Sequence, residues 1–115
     1  FDIKDKKIIL LDDTIVRGNV ITKVINVLRN LGAKEVHVRI PSAPVIDKCY
    51  LGIAIKDKKE LIKTNRTIDE ICYKINADSL KYLTLEEMNR FMPKYTYNNC
   101  FSGKIDKNLI MKDYN

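Results

Sequence analysis

The sequence predicts an α/β protein with a parallel sheet, followed by short helices and a loop-rich tail. Three observations predict it. The apolar run Ile8-Ile9-Leu10-Leu11 stops at two aspartates, apolar residues recur at helical spacing from Val20 to Leu31, and Val36, Val38 and Ile40 then alternate. A continuous apolar run rich in β-branched residues suits a strand buried on both faces, the environment of parallel sheets.

Each element has its own justification. Lys6 to Leu11 is read as the first strand. Beyond a short loop, Val20, Ile21, Val24, Ile25, Leu28 and Leu31 recur every three or four residues and form the buried stripe of a helix. Gly32 stands where a left-handed C-terminal cap is expected. The alternating stretch is a second strand ending near Pro41. A strand-helix-strand unit of this kind is parallel and right-handed in nearly all cases. After Pro44 the pattern is irregular through Cys49 and Gly52. Asp57 with Glu60 three residues later is a capping signature for a short helix to Asn65. Thr67 with Glu70 opens a helix to about Ile75, and Leu80 to Leu83 reads as a short strand. Thr84 with Glu87 opens a last helix that Pro93 closes. From Tyr95 onward the chain reads as loop. A single domain is expected, with a strand-loop-helix-strand core over about 6–41 and a helical part over about 42–115.

Composition narrows the function classes. With 45% hydrophobic and 31% charged residues the chain is expected to be soluble and globular. No apolar run approaches the roughly 18 residues of a membrane span, and no secretory signal is visible. The net charge of +6 is spread along the chain rather than gathered into basic arms with interleaved aromatics, so nucleic-acid binding gains little support. Three widely spaced cysteines, Cys49, Cys72 and Cys100, do not make a disulfide framework, and a reducing cytoplasm is the simpler location. The chain starts at Phe1 rather than Met, which is expected of a fragment or a processed product.

The chemistry concentrates in Leu11-Asp12-Asp13-Thr14-Ile15-Val16-Arg17-Gly18. In open α/β sheets ligands bind beyond the carboxyl ends of the strands, where Asp12 and Asp13 fall. Adjacent carboxylates there can hold Mg²⁺ through waters and accept hydrogen bonds from sugar hydroxyls. The loop Ile15 to Asn19 then offers backbone N–H groups at a helix N-terminus, where the dipole favours a phosphate. Gly18 lets the backbone approach a ligand closely, and Arg17 either adds a charge-assisted contact or points to solvent. The string is not a Walker A loop, since it lacks the Gly-Lys-Ser/Thr ending, nor a dinucleotide fingerprint. Taken alone, the aspartate pair also fits two solvated residues capping a turn.

The full string resembles the signature of type I phosphoribosyltransferases, and more closely that of the glutamine phosphoribosylpyrophosphate amidotransferase family. The similarity continues through Leu31 to Ile40 and resumes at Cys49, at Glu60-Leu61-Ile62, and at Asn65-Arg66. It returns at Ala77 to Leu80, at Tyr82-Leu83, and at Cys100-Phe101-Ser102-Gly103. The resemblance implies the C-terminal portion of the phosphoribosyltransferase fold. It also implies an enzyme of de novo purine synthesis that replaces the pyrophosphate of PRPP with glutamine-derived ammonia, giving 5-phosphoribosylamine.

By this resemblance Asp12 and Asp13 would bind the ribose hydroxyls and Mg²⁺. Thr14, Val16, Arg17, Gly18, Asn19 and Val20 would complete the ribose and 5-phosphate site. The family's usual pair of threonines after the glycine is here Asn19 and Val20, and Val20 has no hydroxyl to donate. One branch carries a [4Fe–4S] cluster on four cysteines. Cys49 and Cys100 match two of those positions, Tyr97 stands at a third, and the fourth would lie upstream of Phe1. The resemblance further implies a homo-oligomer and a glutaminase domain outside this chain; from charge and hydropathy, no nucleic-acid or membrane partner is expected. No catalytic residue is assigned within the chain, which is expected to be inactive alone.

The other tempting residues have plainer readings. His37, the sole histidine, is expected to be structural, as is Cys72 on its helix. Lys58, Lys59 and Lys63 read as a solvated face. Two rival functions remain open: a non-catalytic PRPP-binding regulatory module and a salvage phosphoribosyltransferase. The stretch Ala77 to Leu83 argues against the salvage enzyme.

Overall fold

The computed structural model describes residues 2–49, 54–94 and 96–104. Among these residues three parallel strands form one sheet in the order β1-β2-β3, with β1 at Lys7–Leu11, β2 at Glu35–Ile40 and β3 at Ser79–Tyr82. Ile8 pairs with Val36 and Leu10 with Val38, while Val38 pairs with Leu80 across the second ladder. These residues therefore share one face, since side chains two apart on a strand point the same way.

That face carries the core. Helix α1 (Asn19–Asn30) buries Ile21 and Ile25, and helix α2 (Ile68–Lys74) buries Ile71. With Ile15, Ile62 and Ile75 they close over Val36, Val38, Ile40 and Leu80. Helix α1 ends as its sequence predicts. Gly32 has φ +91°, its N–H donates to the Arg29 carbonyl, and the Ala33 N–H donates to the Leu28 carbonyl. This pair of bonds satisfies carbonyls that the helix end would otherwise leave open.

Helices α2 and α3 (Leu85–Phe91) start at Thr67 and Thr84, each within a reciprocal capping box closed by Glu70 and Glu87. Helix α3 stops at Met92, just before Pro93, whose ring disfavours helical backbone in the residue before it. In the described part of the tail, a four-residue turn, α4 (Asn99–Ser102), anchors a second small cluster of Val45, Ile55, Leu61 and Cys100. Gly52 and Tyr95 lie outside the described residues.

Three expectations need correction. The strand β1 is not buried on both faces. Among the described residues it is an edge strand, and Ile9 and Leu11 on its far face are 68% and 72% exposed. The apolar stripe of α1 is wider than the sheet can cover. Ile21 and Ile25 are buried, but Val20, Val24 and Leu31 are exposed, as is Val27 between them.

The helix expected from Asp57 to Asn65 is instead one 3-10 turn, Lys58–Glu60, although its Asp57–Glu60 capping box forms as predicted. Leu61 is extended, and the Ile62 N–H is taken by the Val16 carbonyl at 2.8 Å. Leu61 and Ile62 bury their side chains in different clusters. That split, together with the bond to Val16, outweighs continuation of the helix.

Candidate functional site

The sheet ladder runs one residue past β1, where the Asp12 N–H donates to the Arg39 carbonyl at 3.4 Å. The chain then folds back on itself. The Asp13 N–H donates to Asp12 Oδ1 at 2.9 Å, and the Thr14 N–H donates to Asp13 Oδ1 at 2.6 Å. Each carboxylate thus commits one oxygen to the turn and leaves the other open. None of the ion pairs among the described residues involves either group.

Below this turn the loop is held from three sides. Ile15 is buried in the main cluster, Val16 packs on the second one, and its carbonyl accepts from Ile62. Ser42, just beyond the end of β2, donates its hydroxyl to the Asp13 carbonyl at 3.1 Å. Gly18 then turns the chain into α1 with φ +83°. A Cβ there would collide with the Ile62 side chain, so both conformation and space favour glycine.

The result is an open cavity of about 340 Å³ lined by Asp12 through Ile21. Helix α1 has no side-chain cap at its start, so no side chain competes for the first N–H groups of the helix. The Thr14 hydroxyl is buried without a hydrogen-bond partner among the described residues. Buried polar atoms are usually satisfied, so a ligand oxygen or water fits this position. Two open carboxylate oxygens and this hydroxyl suit Mg²⁺, which binds few protein ligands and keeps several waters. The lining contains no histidine, cysteine or lysine. Its chemistry is therefore binding and electrostatic, with one acidic end and one helix N-terminus.

Arg17 lines the cavity and is also tied within the protein. Its guanidinium donates to Glu60 Oε2 through Nε at 2.9 Å and to the Ala54 carbonyl at 2.9 Å. It clamps the loop to the 57–60 turn. The Arg17 hydrogen bond is the main cause that holds the Glu60 carboxyl below its ordinary pKa. Asn19 opens α1, and Val20 is 73% exposed on the same helix. Ser42, Glu60 and Ile62 were not singled out in the sequence as supports of the loop. Only Ser42 carried a usable signal, its place just after a strand end.

Cys49 and Cys100 come together at the second cluster, where Cys100 is buried and Cys49 packs against it. Burial is the first cause that raises the Cys100 thiol pKa. Among the described residues no third cysteine, histidine or carboxylate joins them as a metal-binding group. A cluster of the kind the resemblance implies uses four thiolates; the described residues supply two, and Tyr97 stands at a third position. Cys72 lies elsewhere, half-buried, with its thiol donating to the Ala77 carbonyl at 3.3 Å.

His37 stands on the open face of β2 between Ser79 Oγ at 2.7 Å and Glu35 Oε2 at 2.8 Å, a local polar tie. The lysine group is not wholly solvated. Lys58 pairs at 3.0 Å with Asp47, whose side chain is 5% exposed, and Lys63 donates to the Arg66 carbonyl.

No family model matches the chain. It is 38% identical over 106 residues to the chloroplastic amidophosphoribosyltransferase of Vigna aconitifolia, which covers 89% of this chain and 22% of that protein. It is 49% identical over 81 residues to the amidophosphoribosyltransferase of Pyrococcus horikoshii, covering 70% of this chain and 18% of that one. Among solved structures, glutamine PRPP amidotransferase from B. subtilis, complexed with ADP and GMP, superimposes with a TM-score of 0.79. That likeness holds at 32% identity over 90% of this chain and 24% of the other. The chain thus spans about a fifth of the length of the curated relatives it matches.

Proposed function

We propose a function from the premise that this chain is homologous to one segment of the amidophosphoribosyltransferases and shares the matching part of their phosphoribosyltransferase fold. It supplies the ribose-5-phosphate and Mg²⁺ half of a PRPP site, within a protein that makes 5-phosphoribosylamine from PRPP and glutamine-derived ammonia. The observation that carries this reading is the pairing of two unpaired carboxylates with an uncapped helix N-terminus around one cavity.

In this reading the open oxygens of Asp12 and Asp13 accept from the ribose hydroxyls and hold the waters of Mg²⁺. That ion, when bound, offsets the charge of the departing pyrophosphate. The backbone N–H groups at the start of α1 hold the 5-phosphate, and the Thr14 hydroxyl meets a ligand oxygen. As the bond from C1 to pyrophosphate breaks, positive charge grows on the ribose ring. The nearby carboxylates stabilise it, and the ammonia nitrogen forms the new bond to C1. Arg17 acts through the loop rather than on the substrate, by fixing its far side to Glu60. A cytoplasmic location and a homo-oligomer belong to the same proposal.

One observation favours a second reading, a PRPP-binding module without catalysis. Val20 offers no hydroxyl at the phosphate end of the loop, which weakens ground-state and transition-state binding alike. The full-length gene product decides between the two. Release of pyrophosphate from PRPP with ammonia or glutamine supports the enzyme. Mg²⁺-dependent PRPP binding without turnover supports the module. Absence of PRPP binding overturns both.

A further inference from the structure

Cys49 and Cys100 pack in one cluster, yet nothing in the proposed site uses them. Their contact is built by the backbone. The Ile46 and Asp47 N–H groups both donate to the Cys100 carbonyl, at 2.7 and 3.1 Å. The Asn99 side-chain amide, 2% exposed, donates to the Lys48 carbonyl at 3.3 Å. Three hydrogen bonds thus hold residues 46–48 against the start of α4, and Cys49 follows directly. The two thiols are fixed as neighbours although they are remote in sequence. Cys100 is 8% exposed and Cys49 is half-buried, so Cys49 meets a solute first.

We propose that Cys49 and Cys100 are a modification site, a dithiol that closes to a reversible intramolecular disulfide with a glutathione-type disulfide as oxidant. The step is two successive thiol-disulfide exchanges. The Cys49 thiolate attacks one sulfur of oxidised glutathione, forming a mixed disulfide and releasing one glutathione thiolate. Cys100 then gives up its proton and its thiolate attacks the Cys49 sulfur, expelling the second glutathione. Two protein thiols are oxidised and one glutathione disulfide is reduced to two thiols. Cys100 is the more deeply buried thiol, which makes it the resolving rather than the attacking sulfur.

The bond would join the 46–49 segment to α4 across the cluster on which Val16 packs. Val16 belongs to the loop proposed to hold the 5-phosphate, so the oxidised form clamps the underside of that loop. The chemistry of the pair stands without the PRPP reading.

The test is alkylation and peptide mass spectrometry of the full chain after equilibration in mixtures of oxidised and reduced glutathione. Cys49 and Cys100 should lose reactivity together and appear as one linked peptide pair, while Cys72 remains alkylatable. In Cys100→Ser, Cys49 should stop at the mixed disulfide with glutathione. In Cys49→Ser, Cys100 should stay a free thiol. Pairing with Cys72, intermolecular links, or a mixed disulfide on Cys49 that persists in the wild-type chain would overturn the proposal.

Discussion

Replacing Gly18 by alanine tests how the phosphate end of the loop is held. Gly18 has φ +83°, a left-handed conformation that costs a side-chain-bearing residue about 1–2 kcal/mol. The added Cβ also meets Ile62 Cδ1, with Ile62 Cγ1 and Ile75 Cγ2 next at 3.6 Å. Ile62 is only 2% exposed, so its end methyl must leave its preferred rotamer, at about 0.5–1.5 kcal/mol. Together these predict a loss of about 2–3 kcal/mol for Gly18→Ala.

The two causes separate in a double-mutant cycle. Ile62→Val removes the colliding methyl and alone costs about 0.5–1.5 kcal/mol. In the Gly18→Ala background it should cost about 1 kcal/mol less. Urea unfolding of the four proteins measures the cycle, provided the dependence on denaturant stays constant. A Gly18→Ala protein within about 0.5 kcal/mol of wild type would refute the conformational argument. Strict additivity of the two substitutions would refute the contact.

Other substitutions report on other parts of the account. Thr67→Ala and Thr84→Ala each break a capping box and should each lower stability by about 1 kcal/mol in urea unfolding. Glu60 has its folded pKa depressed below its ordinary 4.5, chiefly by Arg17. A depressed carboxyl contributes stability above its unfolded pKa, which is lost as pH falls through the folded value. Glu60→Gln should therefore flatten the loss of stability below about pH 4.5, with urea midpoints at several pH values as the measure. The Tyr82 hydroxyl is buried without a partner among the described residues, and burial pushes its pKa up to about 12. Tyr82→Phe should match wild type or exceed its stability by about 1 kcal/mol near neutrality. It should also lose less stability between pH 10 and about 12, where unfolded tyrosine ionises but folded Tyr82 does not.

Much of the fold was legible in the sequence because local signals and packing agree there. The Thr67 and Thr84 boxes, Gly32 and the alternation at Val36, Val38 and Ile40 each specify an element that the tertiary structure leaves alone. The Asp57 box misled beyond one turn because the bond from Ile62 to Val16 is a long-range event. Periodicity in α1 identified the helix but not how much of its apolar surface the sheet could cover. In the candidate site, the run from Asp12 to Gly18 is contiguous and therefore readable. Its supports, Ser42, Glu60 and Ile62, come from other segments, and no spacing rule links them to the loop. The outcome for Arg17 has the same cause, since its partner is 43 residues away.

Mg²⁺-dependent PRPP binding by the full-length protein, compared with its Asp12→Asn/Asp13→Asn variant, tests the central claim most directly. Titration calorimetry with and without Mg²⁺ should show binding to the wild-type protein that weakens at least about tenfold when either the metal or the carboxylates are removed. Binding that is indifferent to both would contradict the assignment of the β1–α1 loop as the PRPP site.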